Sequence, residues 1–262
     1  TGDKDLKTPL YKMPDSGVFT DDLRESLIQK KCDIIVHSWK DLPLDLADES
    51  IIAGTLPRGD QRDILFIKKN HFSKISRNNT ISIFSSSPRR VYNLEFFVKS
   101  YLPFKINKIN FMNIRGNIPT RFKKFIEGNE DAFIVAKAAI DRLLDCQISD
   151  FNDLSKIIKT YIDQCAWTIT PLSINPTSPG QGALACEVRK HDNHSRKLIE
   201  SINALDDYKC AQKERKVLEQ YGGGCHQKIG VSFFNTHFGV MHASKGEIEK
   251  GNEFHYWKKE NS

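Results

Sequence analysis

Short apolar runs alternate along the chain with segments in which apolar residues recur at helical spacing. The short continuous runs are typical of buried strands, whereas the longer periodic segments favour amphipathic helices. Strands are predicted at 32–36, 51–55, 64–67, 80–83, 131–136 and 183–188, and a hairpin at 229–234 and 237–243. This alternation predicts an α/β chain with largely parallel sheets and a small C-terminal α+β domain.

Other segments lack a clear pattern. Residues 68–79 are basic and rich in Asn, which indicates an exposed loop, and 100–111 reads as a loop followed by a strand. Residues 145–170 predict one helix, and the tail at 244–262 is polar and charged. Boundaries between domains are expected near 60, 175 and 206, where charged segments or glycine turns interrupt the alternation.

The segment after the strand at 80–83 is suited to binding an anion. Ser87 is a favoured N-cap and Pro88 suits the first helical position, so a helix is predicted to begin there. Its unpaired N–H groups, the serine hydroxyls and the side chains of Arg89 and Arg90 would converge on a carboxylate or phosphate. The alternative is a capped helix whose arginines face water.

A second segment, 113–121, repeats this arrangement. A strand ends, Gly116 provides a turn, and Pro119 opens a helix with Arg115 and Arg121 nearby. Two arginine-lined helix starts at one sheet edge favour a site for an anionic ligand over a chance pattern.

A polar cluster follows directly on the strand at 32–36. In α/β proteins ligands bind at the carboxyl ends of strands, and Asp41 beside Lys40 would be held ionised by the neighbouring cation. The alternative is a strand exit that carries solvated charges.

Cys225 follows three glycines at 222–224, in a segment that neither a helix nor a strand favours. The local residues alone leave two alternatives equally open. Cys225 is a reactive thiol that a bulky group can approach closely, or it lies in a flexible turn that happens to contain Cys.

Composition narrows the class of protein. The chain has 262 residues, of which 39% are hydrophobic and 27% charged, and this composition fits a soluble globular protein. Its net charge of +6 indicates either an anionic partner or a biased amino-acid composition. No apolar run approaches the length of a membrane helix. Six cysteines occur without a Cys-x-x-Cys pair, which predicts a reducing compartment and no zinc site of the usual spacing.

Taken together, the motifs resemble those of the porphobilinogen deaminase (hydroxymethylbilane synthase) family. The matching stretches occur in the family's order at 33–43 (DIIVHSWKDLP), 86–90 (SSPRR), 115–121 (RGNIPTR), 179–182 (PGQG) and 223–230 (GGCHQKIG). One such stretch would be weak evidence, whereas five in order across most of the chain are specific.

The resemblance implies two α/β domains like those of periplasmic binding proteins and a third domain that carries the cysteine. Domain 1 would be 1–60 with 176–205, domain 2 would be 61–175, and domain 3 would be 206–262. It further implies a transferase that condenses four porphobilinogen molecules head to tail with release of ammonia. The product is the linear tetrapyrrole hydroxymethylbilane, made in haem and porphyrin biosynthesis on a covalently bound dipyrromethane cofactor.

The resemblance also assigns roles to residues. Asp41 matches the catalytic aspartate, and Cys225 the cysteine that holds the dipyrromethane in thioether linkage. The other cofactor-binding positions would be Ser38, Lys40, Ser86, Ser87, Arg89, Arg90, Arg115 and Gly116, and the substrate-binding positions Phe19, Arg121, Arg142 and Gln181, without a metal. Arginines suit such ligands because each pyrrole carries two carboxylates.

Some positions depart from the family's pattern. Ser16 stands where the family has Lys, and Phe84 and Pro88 stand where it usually has Gly and Leu. The family's first strand would precede Thr1 and its last helix would follow Ser262, so a truncated piece is expected, and its activity is left open. The family implies a monomer in the cytosol or in plastids.

Two rival functions remain at this level. A non-catalytic, two-lobed protein that binds a small polycarboxylate anion would share the first two domains, but would not explain Cys225 or Asp41. A nucleic-acid-binding protein would need basic patches interleaved with aromatic residues, whereas these arginines lie at helix starts. Partners other than porphobilinogen, nucleic acids and membranes included, are therefore not expected.

Overall fold

A computed structural model describes residues 21–44, 48–146, 148, 152–222, 227–248 and 251–260. Its strands are β1 Ile34–Ser38, β2 Ser50–Thr55, β3 Asp63–Lys68, β4 Thr80–Phe84, β5 Lys108–Met112, β6 Ala132–Ala136, β7 Cys165–Ile169, β8 Leu184–Arg189, β9 Gly230–Thr236, β10 Gly239–Glu247 and β11 Glu253–Lys259. Its helices are α1 Asp21–Ile28, α2 Phe72–Asn78, α3 Pro88–Tyr101, α4 Ile118–Glu127, α5 Lys137–Leu144, α6 Asn152–Asp163, α7 Asn193–Ile202 and α8 Leu205–Gln220, with short 3₁₀ helices at Trp39–Asp41 and Lys69–His71. This succession confirms the predicted α/β class.

The chain divides into two compact units. Unit 1 comprises Thr1–Gln61 and Thr177–Ser262, and unit 2 comprises Arg62–Pro176. Unit 1 contains the sheet β1-β8-β2 and the sheet β11-β10-β9, and unit 2 contains the sheet β5-β4-β6-β3-β7. The separation of 206–262 as a third domain stays a prediction.

The expectation of largely parallel sheets is wrong. β8 is antiparallel to both β1 and β2, and β3 is antiparallel to both β6 and β7, so only the pairs of β4 with β5 and β6 are parallel in the described part of these two sheets. The chain leaves β2 at Thr55 and β8 begins beside it, with Ala185 opposite Thr55, so β8 must run the other way. Apolar runs identify a buried strand but carry no information on its direction.

The sheet of unit 2 is covered on both faces. Leu65 and Ile67 of β3 pack into one core with residues of α3, whereas Ile64 and Phe66 pack into a second core with α4 and α6. Successive residues of a strand point to opposite faces, which explains why β3 reads as one continuous apolar run. These two layers fix the sheet edge from which α3 and α4 begin.

Three local expectations need correction. Residues 72–78 form α2 rather than a loop, because its two apolar residues pack against the sheet: Ile75 is fully buried and Phe72 partly so. Residues 165–169 form β7, and 253–259 form β11 in the polar tail. Both are edge strands with exposed side chains such as Trp167 and Trp257, so their sequences lack the apolar run of an inner strand.

None of the helices in the described ranges is long and apolar enough to cross a membrane.

Candidate functional site

Asp41 is presented at the carboxyl end of β1. The 3₁₀ helix Trp39–Asp41 follows the strand directly, and the Trp39 N–H donates to Ala183 O at 3.1 Å. The Trp39 ring is buried against Tyr208 of α8, with 5.3 Å between the ring centroids. The Asp41 side chain is exposed and the Lys40 side chain is half-buried. The turn therefore fixes the backbone of Asp41 while the Asp41 carboxylate faces solvent.

Two glycines of the predicted 178–182 turn allow this packing. Gly180 has φ +76°, and a Cβ there would lie 3.1 Å from the Lys40 nitrogen. Gly182 has φ +87°, and a Cβ there would lie 2.6 Å from the Gly59 carbonyl oxygen. Only glycine fits both the left-handed conformation and these close backbone approaches.

The same turn is tied to α8 through the buried carboxylate of Glu214. Glu214 accepts the Gly180 N–H at 2.7 Å and the Phe233 N–H at 2.8 Å. Both of its oxygens also accept from the guanidinium of Arg58, at 2.8 and 2.9 Å. Gln181 is buried within this network and donates to Gln61 O at 2.7 Å, so its contact with substrate stays a prediction.

A second buried carboxylate, Glu187 of β8, lies behind β1. Arg24 Nε donates to it at 2.7 Å, the Ser50 hydroxyl also donates to it, and His37 Nε2 lies 3.0 Å away. Burial opposes ionisation of Glu187, but the nearby His37 imidazole and the hydrogen bonds from Arg24 and Ser50 outweigh it and lower its pKa to about 2. This network fixes the strand that leads into Asp41.

In unit 2 the parallel strands β4 and β5 end side by side, and both predicted anion sites lie at this edge. The Ser85 N–H donates to Met112 O at 2.9 Å, and the Ser86 hydroxyl both donates to Ile114 O and accepts from Ile114 N, each at 2.8 Å. The two loops are therefore bonded to each other, which brings Ser86 next to the segment that carries Arg115.

Both helix starts at this edge are capped, α3 by the predicted Ser87 and α4 by Asn117, which was not singled out from the sequence. Ser87 accepts the Arg90 N–H at 3.4 Å at the start of α3, and Asn117 accepts the Thr120 N–H at 3.0 Å at the start of α4. Gly116 has φ +114°, and its carbonyl accepts from Arg121 Nε at 2.6 Å. The remaining N–H groups of two helix N-termini give this edge a positive potential.

Arg89 and Arg90 share the carboxylate of Asp63, the first residue of β3. Arg89 Nη2 donates to it at 2.9 Å, and Arg90 donates through Nη2 at 2.8 Å and Nε at 3.1 Å. Asn175 also donates to Asp63, at 3.1 Å, and accepts from Arg89 Nη1 at 2.9 Å. Burial of Arg89 lowers its pKa, against the charge of Asp63, which raises it.

Two buried arginine atoms at this edge lack an internal acceptor. Arg89 Nε and Arg115 Nη2 have no hydrogen-bond partner among the residues that the structure describes. Since an unpaired buried donor is costly, an acceptor supplied by a ligand would satisfy both.

Arg142 lies on α5 with an exposed side chain.

The predicted site residues are divided between the units. Asp41, Lys40, Ser38 and Gln181 belong to unit 1, and the serines and the predicted arginines belong to unit 2. Phe19 and Cys225 lie outside the described residues. Two of the described thiols are poor nucleophiles, because burial raises the pKa of Cys165 and of Cys210 to about 11.

Sequence reasoning missed the buried carboxylates Asp63, Glu187 and Glu214. Each is fully buried and neutralises an arginine. A signal existed for Asp63 and Glu187, because each lies at or within an apolar strand, where an unpaired charge would be unfavourable. No local signal distinguishes Glu214 in the highly charged α8.

Comparison with known proteins agrees with the motifs. The family model described as "Porphobilinogen deaminase, dipyromethane cofactor binding domain" matches residues 1–197. A porphobilinogen deaminase of Chlorobium phaeovibrioides is 35% identical over 243 residues, which are 92% of this chain and 69% of that protein. One of Syntrophomonas wolfei is 34% identical over 242 residues, 92% of this chain and 70% of that protein.

Among solved structures, an ABC transporter protein from Parabacteroides distasonis aligns over 78% of this chain and 65% of that chain, with 11% identity and a TM-score of 0.42. That similarity is too low to carry information on function.

Proposed function

Because this chain belongs to the porphobilinogen deaminase family, we propose that Asp41 is its catalytic carboxylate and that its arginines hold the carboxylates of a growing pyrrole chain. The family's activity is that of hydroxymethylbilane synthase, a transferase of tetrapyrrole biosynthesis that uses porphobilinogen as substrate. Its cofactor is a dipyrromethane. The anion-binding protein without catalysis is not favoured.

The observation that carries the site assignment is the pair of buried, unpartnered donors Arg89 Nε and Arg115 Nη2. They lie at a sheet edge that two helix N-termini make positive, beside the hydroxyls of Ser86 and Ser87. A dipyrromethane carries acetate and propionate groups on each ring, so these donors fit its carboxylates. Arg121 and Arg142, together with Gln181 and Phe19, are proposed to contact the substrate.

Asp63 holds the side chains of Arg89 and Arg90 in fixed positions when no ligand is bound. Two guanidinium groups share one carboxylate, so the cluster retains a net positive charge that an incoming anion can neutralise. The Nη atoms of Arg89 are held by Asp63, Asn175 and the Pro176 carbonyl, which fixes the plane of its guanidinium before the ligand arrives.

When bound through Cys225, the dipyrromethane supplies the pyrrole carbon to which the first substrate molecule is joined. In each condensation the bond between the substrate's methylene carbon and its amino nitrogen breaks, and the nitrogen leaves as ammonia. We assign to Asp41 the stabilisation of the cation that develops on that substrate, and the exposure of its carboxylate on a fixed turn supports this role. A new carbon–carbon bond then forms, and the same carboxylate can accept the proton lost from the attacked carbon.

The assignment is tested by two variants and their matched controls. Cys225→Ser is expected to lack the mass of one dipyrromethane and the colour with Ehrlich's aldehyde, whereas Cys32→Ser keeps both. Asp41→Asn is expected to keep the added mass but lose turnover of porphobilinogen, whereas Asp48→Asn, in an exposed position of the next turn, stays active. Normal product formation by Asp41→Asn would refute its role.

The finer points of the function are proposals as well. We expect a monomer without nucleic-acid or membrane partners that works in the cytosol or in plastids. Light scattering on the holo-protein would reveal a stable dimer, and cell fractionation would reveal another compartment.

A further inference from the structure

Arg215 of α8 binds the backbone on both sides of Asp41. Its Nη1 donates to Trp39 O at 3.3 Å and to Leu42 O at 3.1 Å, and its Nη2 donates to Pro43 O. Three carbonyl groups of the segment that contains Asp41 therefore point at one guanidinium. Among the described residues, Arg215 is the side chain that joins all three of these carbonyls.

The carbonyl groups at the end of a 3₁₀ helix lack partners within the helix itself. In this turn the Trp39 carbonyl accepts from the Leu42 N–H at 3.2 Å, and Arg215 supplies a second donor. A guanidinium suits this task because its donors lie in one rigid plane, whereas an ammonium group is a single flexible point. The direction of the chain through Asp41 is thereby set by α8.

The other contacts of α8 are made to residues around the Trp39–Asp41 turn and not to the backbone on either side of Asp41. Tyr208 packs on the Trp39 ring and donates to Ile52 O at 2.8 Å, and Glu214 accepts the Gly180 N–H. α8 also leads, a few residues after Gln220, to the segment with Cys225.

We propose that Arg215 is a positioning residue for Asp41, which fixes the carboxylate by holding the carbonyls of Trp39, Leu42 and Pro43. This inference rests on the proposed role of Asp41. It predicts that loss of the guanidinium impairs the chemical step more than substrate binding or cofactor attachment, because the arginines of unit 2 are untouched.

The test compares Arg215→Met with two controls on the same helix. Lys216→Met removes an exposed cation next to it, and Val217→Ala removes apolar packing from the core of α8 and the β9–β10–β11 sheet. In Arg215→Met, kcat is expected to fall about 10- to 100-fold, as for a misplaced catalytic group, with KM nearly unchanged. The mass of bound dipyrromethane should stay that of the wild type, and Arg215→Lys should recover part of kcat.

The second readout is the coupling between Arg215 and Asp41 in kcat, measured with a double variant. In Asp41→Glu the carboxylate is already displaced by one methylene, so adding Arg215→Met is expected to lower kcat by a smaller factor than it does in the wild type. A fully additive loss would show that Arg215 acts independently of Asp41 and would overturn the proposal.

The remaining outcomes separate the two hypotheses. If the wild type turns over porphobilinogen and Arg215→Met keeps its kcat, the positioning role is wrong while the function stands. A loss no larger than that of Val217→Ala at equal thermal destabilisation also overturns it, as does a loss of the bound cofactor. A full-length wild-type protein that neither carries dipyrromethane nor uses porphobilinogen would refute the proposed function itself.

Discussion

Asp63 offers the sharpest test of how the arginine cluster is built. Its side chain is fully buried and accepts hydrogen bonds from Arg89, Arg90 and Asn175 at 2.8 to 3.1 Å. In Asp63→Asn the shape is kept but the charge is lost, so two guanidinium groups with side chains only 3% and 12% exposed face a neutral amide.

The expected cost follows from this burial. Removing one partner of a buried ion pair destabilises a protein by about 3–5 kcal/mol, because the remaining charge stays uncompensated. A domain of ordinary stability has about 5–15 kcal/mol in total, so unit 2 should lose a large share of its free energy of unfolding. The control Glu95→Gln removes an exposed pair with Lys99 and should cost about 0.3–0.5 kcal/mol.

Hydrogen exchange read by mass spectrometry can locate the effect. Amides of β3 and β6 in unit 2 should exchange faster in Asp63→Asn by a factor that corresponds to the lost free energy, while amides of β8 in unit 1 stay unchanged. A loss below about 1 kcal/mol, or an equal loss in β8, would contradict the buried-pair account.

Two further predictions concern unit 1. The Glu187 carboxyl has its pKa lowered from 4.5 to about 2, so its contribution of roughly 3 kcal/mol is present above pH 4.5 and disappears as the pH falls towards 2. Glu187→Gln should therefore be less stable than the wild type in urea unfolding at pH 7, with a difference that shrinks by pH 2. Gly182→Ala should lower the melting temperature more than Gly251→Ala, because both have positive φ but only Gly182 has a backbone oxygen 2.6 Å from the new Cβ. Equal shifts in melting temperature for the two variants would show that the positive φ alone, and not the contact with the Gly59 carbonyl oxygen, lowers the stability.

Much of the candidate site could be predicted because it depends on local rules. Ser87 and Pro88 mark the start of α3 whatever surrounds them, and α3 begins there with the predicted cap. Gly116 provides the positive φ before α4. The placement of Asp41 just after strand β1 follows equally from the sequence, although β1 is buried on one face only and exposes Val36, where a buried strand is predicted.

The errors arose where a distant segment decides the structure. α2 contains only two apolar residues, Phe72 and Ile75, and their packing against the sheet makes the segment a helix. β7 and β11 are edge strands whose exposed faces are polar or mixed, so they were not recognised as strands. The direction of β8 depends on where the chain re-enters unit 1 after more than a hundred residues in unit 2.

The sequence by itself determined the family, the α/β class, the turn with Asp41 and two helix starts rich in arginine, since each rests on neighbours within a few positions.

Only the tertiary structure decided which groups those charged side chains contact. Asp63 lies 26 positions from Arg89 and Glu187 lies 163 positions from Arg24, yet both pairs are buried. Arg215 reaches the Trp39–Pro43 carbonyls across more than 170 positions. Such partners are selected by packing, because burial makes each unpaired charge or carbonyl costly, and sequence spacing does not encode that selection.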